Sequence, residues 1–120
     1  MQTLAGRLIL VLEDEYFLGQ DVAEALRDLG AEVVGPYATA QSALDGLGGR
    51  RVDGAVVDMN LRGDTSARVA DHLKQEAVPM LIVSGYGRDA LPERFRETPY
   101  LEKPVEARAV GRRVCELVGG

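Results

Sequence analysis

Four polar positions in this 120-residue chain each close a short apolar run, and together they support one chemistry. Glu13-Asp14 follow Arg7-Leu-Ile-Leu-Val-Leu12, Asp58 ends Gly54-Ala-Val-Val-Asp58, Ser84 ends Pro79-Met-Leu-Ile-Val-Ser84, and Lys103 comes just after Pro99-Tyr100-Leu101. If the runs are neighbouring strands, three carboxylates converge, and their mutual repulsion calls for a counter-charge. A hard divalent cation with oxygen ligands, kept partly hydrated, meets that need, and magnesium is the usual choice. Lys103 adds a second positive charge as a flexible point ammonium. A carboxylate held near both charges can act as a nucleophile on a phosphoryl group. The cations then offset charge on the transferred oxygens while the Ser84 hydroxyl donates to one of them. Taken singly, each residue has a plainer use: Asp14 as a helix cap, Ser84 as a turn residue, Lys103 as a surface charge. Their common place at strand ends is what joins them, and a carboxylate closing an apolar strand carries a burial cost that favours a partner.

The elements that must position these residues alternate along the chain. Arg7–Leu12 is a continuous apolar run, the pattern of a parallel strand buried on both faces. A helix is expected from about Glu15 to Leu29, with Leu18, Val22, Ala25, Leu26 and Leu29 on one face and Gly30 closing it. Glu32–Tyr37 reads as a shorter strand, and Pro36 places it at a sheet edge. Thr39 can cap a short helix to about Gly46, with Ala40, Ala43, Leu44 and Leu47 inward. Gly54–Asp58 and Pro79–Ser84 are buried strands, and Ser66–Glu76 between them is a helix on Val69, Ala70, Leu73 and Ala77. A last strand at Pro99–Leu101 and a helix over Ala107–Val118, on Val110, Val114, Leu117 and Val118, complete the pattern. Five strand–helix alternations predict an open parallel α/β sheet with right-handed crossovers. Ligands in such sheets bind at the carboxyl ends of the strands, where strand order reverses.

The set Glu13-Asp14, Asp58, Ser84-Gly85 and Lys103-Pro104 resembles the receiver domain of two-component response regulators, in order and approximate spacing, over nearly the whole chain. The resemblance implies a flavodoxin-like (βα)5 three-layer sandwich with a parallel sheet of order 2-1-3-4-5. It implies Asp58 as phosphoacceptor, with Glu13, Asp14, Asp58 and the Asn60 backbone carbonyl holding Mg²⁺. Ser84 would be the switch hydroxyl, Lys103 the phosphoryl partner and Tyr100 the switch aromatic, and the Lys103-Pro104 bond would be cis. The partners implied are a histidine kinase or histidine phosphotransfer protein and a downstream protein, with a homodimer left open. The Ser-Gly-Tyr-Gly stretch is similar to one in stand-alone receivers of stress-signalling phosphorelays.

The chain also departs from the family pattern. Glu13 stands where many receivers carry Asp, and its longer arm can reach a metal through water. Arg62 occupies a loop position where many carry Pro. Arg88 to Thr98 holds only a faint helical stripe and is broken by Pro92, so a fourth helix there should be short or distorted. Tyr86, between two glycines, fits equally a phosphoryl shield and a plain loop aromatic.

Length and apolar content suit one domain spanning 1–120 with no effector domain, and a formal charge of −5 argues against a nucleic-acid surface. Nothing approaches a membrane span, and a lone cysteine suits a reducing compartment, so a cytoplasmic protein is expected. Cys115 reads as a small core residue and His72 as a surface residue. The leading reading is a phosphorylation-switched binding module that catalyses only its own phosphoryl transfer and dephosphorylation. Two alternatives stay open: a degenerate receiver that binds without phosphorylation, and a small Mg²⁺-dependent aspartyl-phosphate phosphatase. The second is weakened by Asn60, which stands where such enzymes often carry another Asp.

Overall fold

The computed structural model describes residues 3–59 and 66–119. In chain order the elements are β1 (Leu8–Leu12), α1 (Tyr16–Asp28), β2 (Glu32–Tyr37), α2 (Ala40–Leu47), β3 (Gly54–Asp58), α3 (Ala67–Gln75), β4 (Met80–Ser84), β5 (Tyr100–Glu102) and α4 (Ala107–Val118). Two single 3₁₀ turns, Arg88–Ala90 and Glu93–Phe95, stand between β4 and β5. All strand pairs are parallel and their order is β2-β1-β3-β4-β5.

The strands alternate their side chains between two cores. Leu10, Leu12, Ala55, Val57 and Ile82 face α2 and α3, while Ile9, Val11, Val56, Leu81 and Val83 face α1 and α4. This period-two division of continuously apolar strands is what a sheet covered on both faces requires, and it makes the three-layer sandwich. The helix stripes dock as the sequence predicts, with one correction. Ala77 does not continue the α3 stripe: it lies beyond the helix in the left-handed region (φ 56°) and is exposed, while Val78 N–H turns back to the Leu73 carbonyl (2.9 Å). The closing turn thus takes Ala77 away from the core. Thr39 does cap α2, its hydroxyl accepting from Ser42 N–H at 3.0 Å.

β2 is an edge strand, as Pro36 predicts, and its pairing with β1 is irregular between Leu10 and Leu12. Gly35 sits at φ 108°, and a Cβ there would lie 2.7 Å from the Val11 carbonyl oxygen. Both facts forbid a side chain. Gly35→Ala is therefore expected to lower stability by about 2 kcal/mol, from left-handed strain plus a backbone clash. A reduced urea midpoint with an unchanged slope checks this.

The Arg88–Thr98 stretch forms no α-helix. Leu91 and Phe95, 4% and 0% exposed, anchor it to the core on the α2–α3 side. Some of its backbone carbonyls accept i→i+3 N–H bonds within the two turns, as Arg88 does from Leu91 (3.0 Å) and Pro92 from Phe95 (2.9 Å), and others are taken up by side chains. Arg88 donates to the carbonyls of Arg96 (2.6 Å) and Thr98 (2.8 Å), and Lys74 donates to that of Arg94 (2.9 Å). Arg94 in turn grips Asp71 of α3 through two hydrogen bonds of 2.7 and 2.9 Å. Short turns and long cationic side chains together thus do here what i→i+4 bonding does elsewhere. Among the described residues no helix is long and apolar enough to cross a membrane.

Candidate functional site

Sheet register brings the acids together. β1 and β3 pair through Leu12 and Val57, so the residues one step further, Glu13 and Asp58, meet at the carboxyl ends of the central strands. This is the point where strand order reverses. Glu13 N–H is fixed by the Tyr37 carbonyl (2.8 Å), which turns the chain across the strand ends. Glu13, Asp14 and Asp58 each offer a carboxylate oxygen, and these lie within 4.8 Å of one another. Asp58 is fully buried, Glu13 is buried and Asp14 is half-buried.

Lys103 reaches this cluster from β5. Its backbone N–H bonds to the Ser84 carbonyl (2.7 Å), and the Lys103-Pro104 peptide is cis. The ammonium lies 3.0 Å from Glu13 Oε2 and 3.3 Å from Asp58 Oδ2. A third acid, Glu15, also bonds it. Glu15 precedes α1 at the cap position but makes no side-chain cap; its carboxylate turns to Lys103 and its N–H donates to Glu13 Oε2 (3.0 Å). Sequence reasoning left Glu15 within the first helix. Its place two residues after Glu13, at a helix start facing the strand ends, was the available signal.

Burial pushes the Glu13 carboxyl up to about 7, and the adjacent Asp58 carboxyl pushes the same way. The Glu15 amide and the Lys103 ammonium pull it down, by less in sum. For Lys103, burial works against the charged form, but bonds to Glu15 and Glu13 and the charge of Asp58 prevail, and its pKa is raised. One ammonium among four acids leaves a surplus of negative charge at the strand ends. The donor set is all carboxylate oxygen and partly open at Asp14, so it fits a hard divalent cation. The Asn60 carbonyl lies outside the described residues, as does Arg62.

Ser84 ends β4 beside this group, buried, with its Oγ accepting from Tyr86 N–H at 3.1 Å. Tyr100 stands half-buried on β5; its hydroxyl donates to the Tyr86 carbonyl, and the Arg88 guanidinium lies over its ring at 5.0 Å. Burial and the Glu102 carboxylate raise the Tyr100 phenol pKa, against the pull of Arg88. Ser84, Tyr86 and Tyr100 are thus linked through one short loop, although Tyr86 itself is 67% exposed. A cavity of about 410 Å³ opens beside the cluster, lined by Glu15, Leu18, Lys103, Pro104 and Val105. Cys115 is buried and burial raises its thiol pKa, which fits a core role. His72 is half-buried on α3.

No protein-family model matches the chain. It is 28% identical over 102 residues to the transcriptional regulatory protein PdtaR of Mycobacterium tuberculosis, covering 82% of this chain and 50% of that protein. The chain therefore spans half the length of this curated relative. Among solved structures, SdrG from Sphingomonas melonis is 30% identical, with 95% of this chain and 97% of that one covered and a TM-score of 0.78. The receiver domain of the PhyR response regulator from Erythrobacter litoralis superposes with a TM-score of 0.81 at 22% identity, over 97% of this chain and 92% of that one. Through the near-complete match to SdrG and the 2-1-3-4-5 sheet with an acid cluster at its switch point, the chain belongs to the receiver domains of response regulators.

Proposed function

We propose that the chain is a phosphoacceptor switch that takes a phosphoryl group on Asp58 in a magnesium-dependent reaction and thereby changes its affinity for a protein partner. The observation that carries this reading is the fully buried Asp58 carboxylate 3.3 Å from the Lys103 ammonium, within a three-carboxylate cluster that can hold a divalent cation. Glu13, Asp14 and Asp58 are the residues that would hold Mg²⁺; when bound, it supplies positive charge beside the transferred oxygens.

In the reaction an Asp58 oxygen forms a bond to phosphorus while the bond from phosphorus to the donor breaks. The donor leaves as the imidazole of a histidine kinase or phosphotransfer protein, or as acetate from acetyl phosphate. Lys103, already placed by β5, neutralises charge on the phosphoryl oxygens. The open side near Lys103 and Pro104, bordered by Glu15 and Leu18, leaves room for the donor to approach. Ser84 then turns from Tyr86 N–H towards the phosphoryl group, which loosens the Tyr86 carbonyl that holds Tyr100. The β5 face around Tyr100 changes shape, and a downstream protein reads it. On this reading the protein turns over no separate substrate: it catalyses only its own phosphorylation and dephosphorylation, as a cytoplasmic domain.

Intact mass after incubation with Mg²⁺ and acetyl phosphate tests the proposal. One phosphoryl gain that needs Mg²⁺ and disappears in Asp58→Asn is the expected result. No gain, where a known receiver is labelled in parallel, would make the chain a binding module independent of phosphorylation.

A further inference from the structure

The three carboxylates that hold the Lys103 ammonium stand at very different depths. The side chains of Asp58 and Glu13 are 0% and 4% exposed, whereas that of Glu15 is 61% exposed. An ammonium has three N–H groups to donate, and Glu13, Glu15 and Asp58 each accept from it. A phosphoryl group arriving at Asp58 therefore meets a lysine whose donors are already engaged.

Burial decides which carboxylate gives way. Asp58 is the nucleophile, and releasing Glu13 would leave a desolvated carboxylate without its cation. Releasing Glu15 returns a carboxylate to water, where hydration replaces the lost bond. The fold does not need that side chain elsewhere. Glu15 stands at the cap position of α1, yet its carboxylate makes no cap bond. Its backbone is fixed without it: the N–H donates to Glu13 Oε2 (3.0 Å), and the carbonyl accepts from Gly19 N–H (2.9 Å). Glu15 also lines the cavity of about 410 Å³ with Leu18, Lys103, Pro104 and Val105, so a released side chain has open space to enter. A bond made in the resting protein and given up on the way to the transition state stabilises only the ground state, and so slows the reaction.

Given the phosphoacceptor reading of Asp58, on which this rests, we infer that Glu15 is a positioning residue that brakes phosphorylation. It holds Lys103 in the resting protein and surrenders it as the phosphoryl group arrives. In the phosphorylated protein Glu15 has already let go, so the brake acts on phosphorylation and not on hydrolysis.

Labelling of Asp58 by acetyl phosphate in saturating Mg²⁺, read by intact mass, tests this in Glu15→Gln, which keeps the side-chain shape and removes its charge. Labelling should be about three- to fivefold faster than in wild type, the scale of one partly exposed ion pair. Beryllium trifluoride, which mimics a phosphoryl group on a carboxylate, should bind the variant more tightly by about the same factor. Hydrolysis of the labelled variant should stay within about twofold of wild type. In a Lys103→Ala background, Glu15→Gln should change the labelling rate by less than about twofold, since the brake acts through the lysine. Labelling of Glu15→Gln at or below the wild-type rate would overturn the inference while leaving Asp58 the acceptor. So would an acceleration that persists without Lys103, or one matched by faster hydrolysis; either would make Glu15 a general repulsive charge at the opening. Wild-type protein that takes no label, where a known receiver does, would overturn the phosphoacceptor reading itself, and the brake with it.

Discussion

Replacing Lys103 with alanine is expected to slow Mg²⁺-dependent labelling of Asp58 by about 10²–10³-fold, the usual cost of removing one preorganised charge from a transition state. The ammonium is placed for this role by the backbone bond to Ser84 and by three carboxylates, and its side chain is only 14% exposed. The same substitution should alter stability in a way that a purely catalytic residue would not. Removing one partner of a buried ion pair leaves charge uncompensated and costs about 3 kcal/mol. Here part of that cost is avoidable, because Glu13 can take up a proton. The metal-free variant should therefore be least stable relative to wild type at alkaline pH, and closest to it near pH 5. Added Mg²⁺ should recover stability more fully than labelling, since it replaces the charge among the acids but not the donor on the phosphoryl group. Acetyl phosphate kinetics and urea midpoints, measured on one preparation, read both effects. Labelling of Lys103→Ala at the wild-type rate would remove the lysine from the reaction.

The second large effect is a pH dependence of the metal-free protein. Glu13 has its carboxyl raised to about 7 in the fold from 4.5, chiefly by burial and then by Asp58. Between those values the folded state binds more protons than the unfolded one, so stability falls as pH rises through the window. Below about pH 4.5 this group costs nothing; above about 7 the loss is complete and amounts to about 3 kcal/mol. The Lys103 pKa is raised as well, so its contribution is also lost as pH rises, but only at pH values above this window. Glu13→Gln, which keeps the shape of the neutral acid, isolates the effect. In chelator it should match wild type near pH 5 and exceed it at pH 8. With Mg²⁺ the order at pH 8 should invert, because the ionised Glu13 is then an asset. Parallel stability curves for the two proteins from pH 5 to 8 in chelator would show that Glu13 is ionised throughout.

Both effects trace to residues that were legible before any fold was known. An acid pair, an acid, a hydroxyl and a lysine each end an apolar run, and alternating elements of the right length leave few ways to arrange those runs. Pro36 marked an edge strand and Pro92 a broken helix through local covalent constraints, which act wherever the chain folds. Ala77 was misplaced because helical periodicity does not by itself stop at a boundary, and no glycine marks the left-handed position that ends α3.

What only the tertiary structure decided are the partners of long side chains. Glu15 joins Lys103 across 88 positions, Arg94 joins Asp71 across 23, and Arg88 covers Tyr100. The amino-acid sequence by itself determined the period of each element and the chemistry at each strand end, since both are set by neighbours along the chain. The raised Glu13 carboxyl and the third carboxylate on Lys103 depend on distances across the fold. Those are set by packing density and sheet register, which local sequence does not encode.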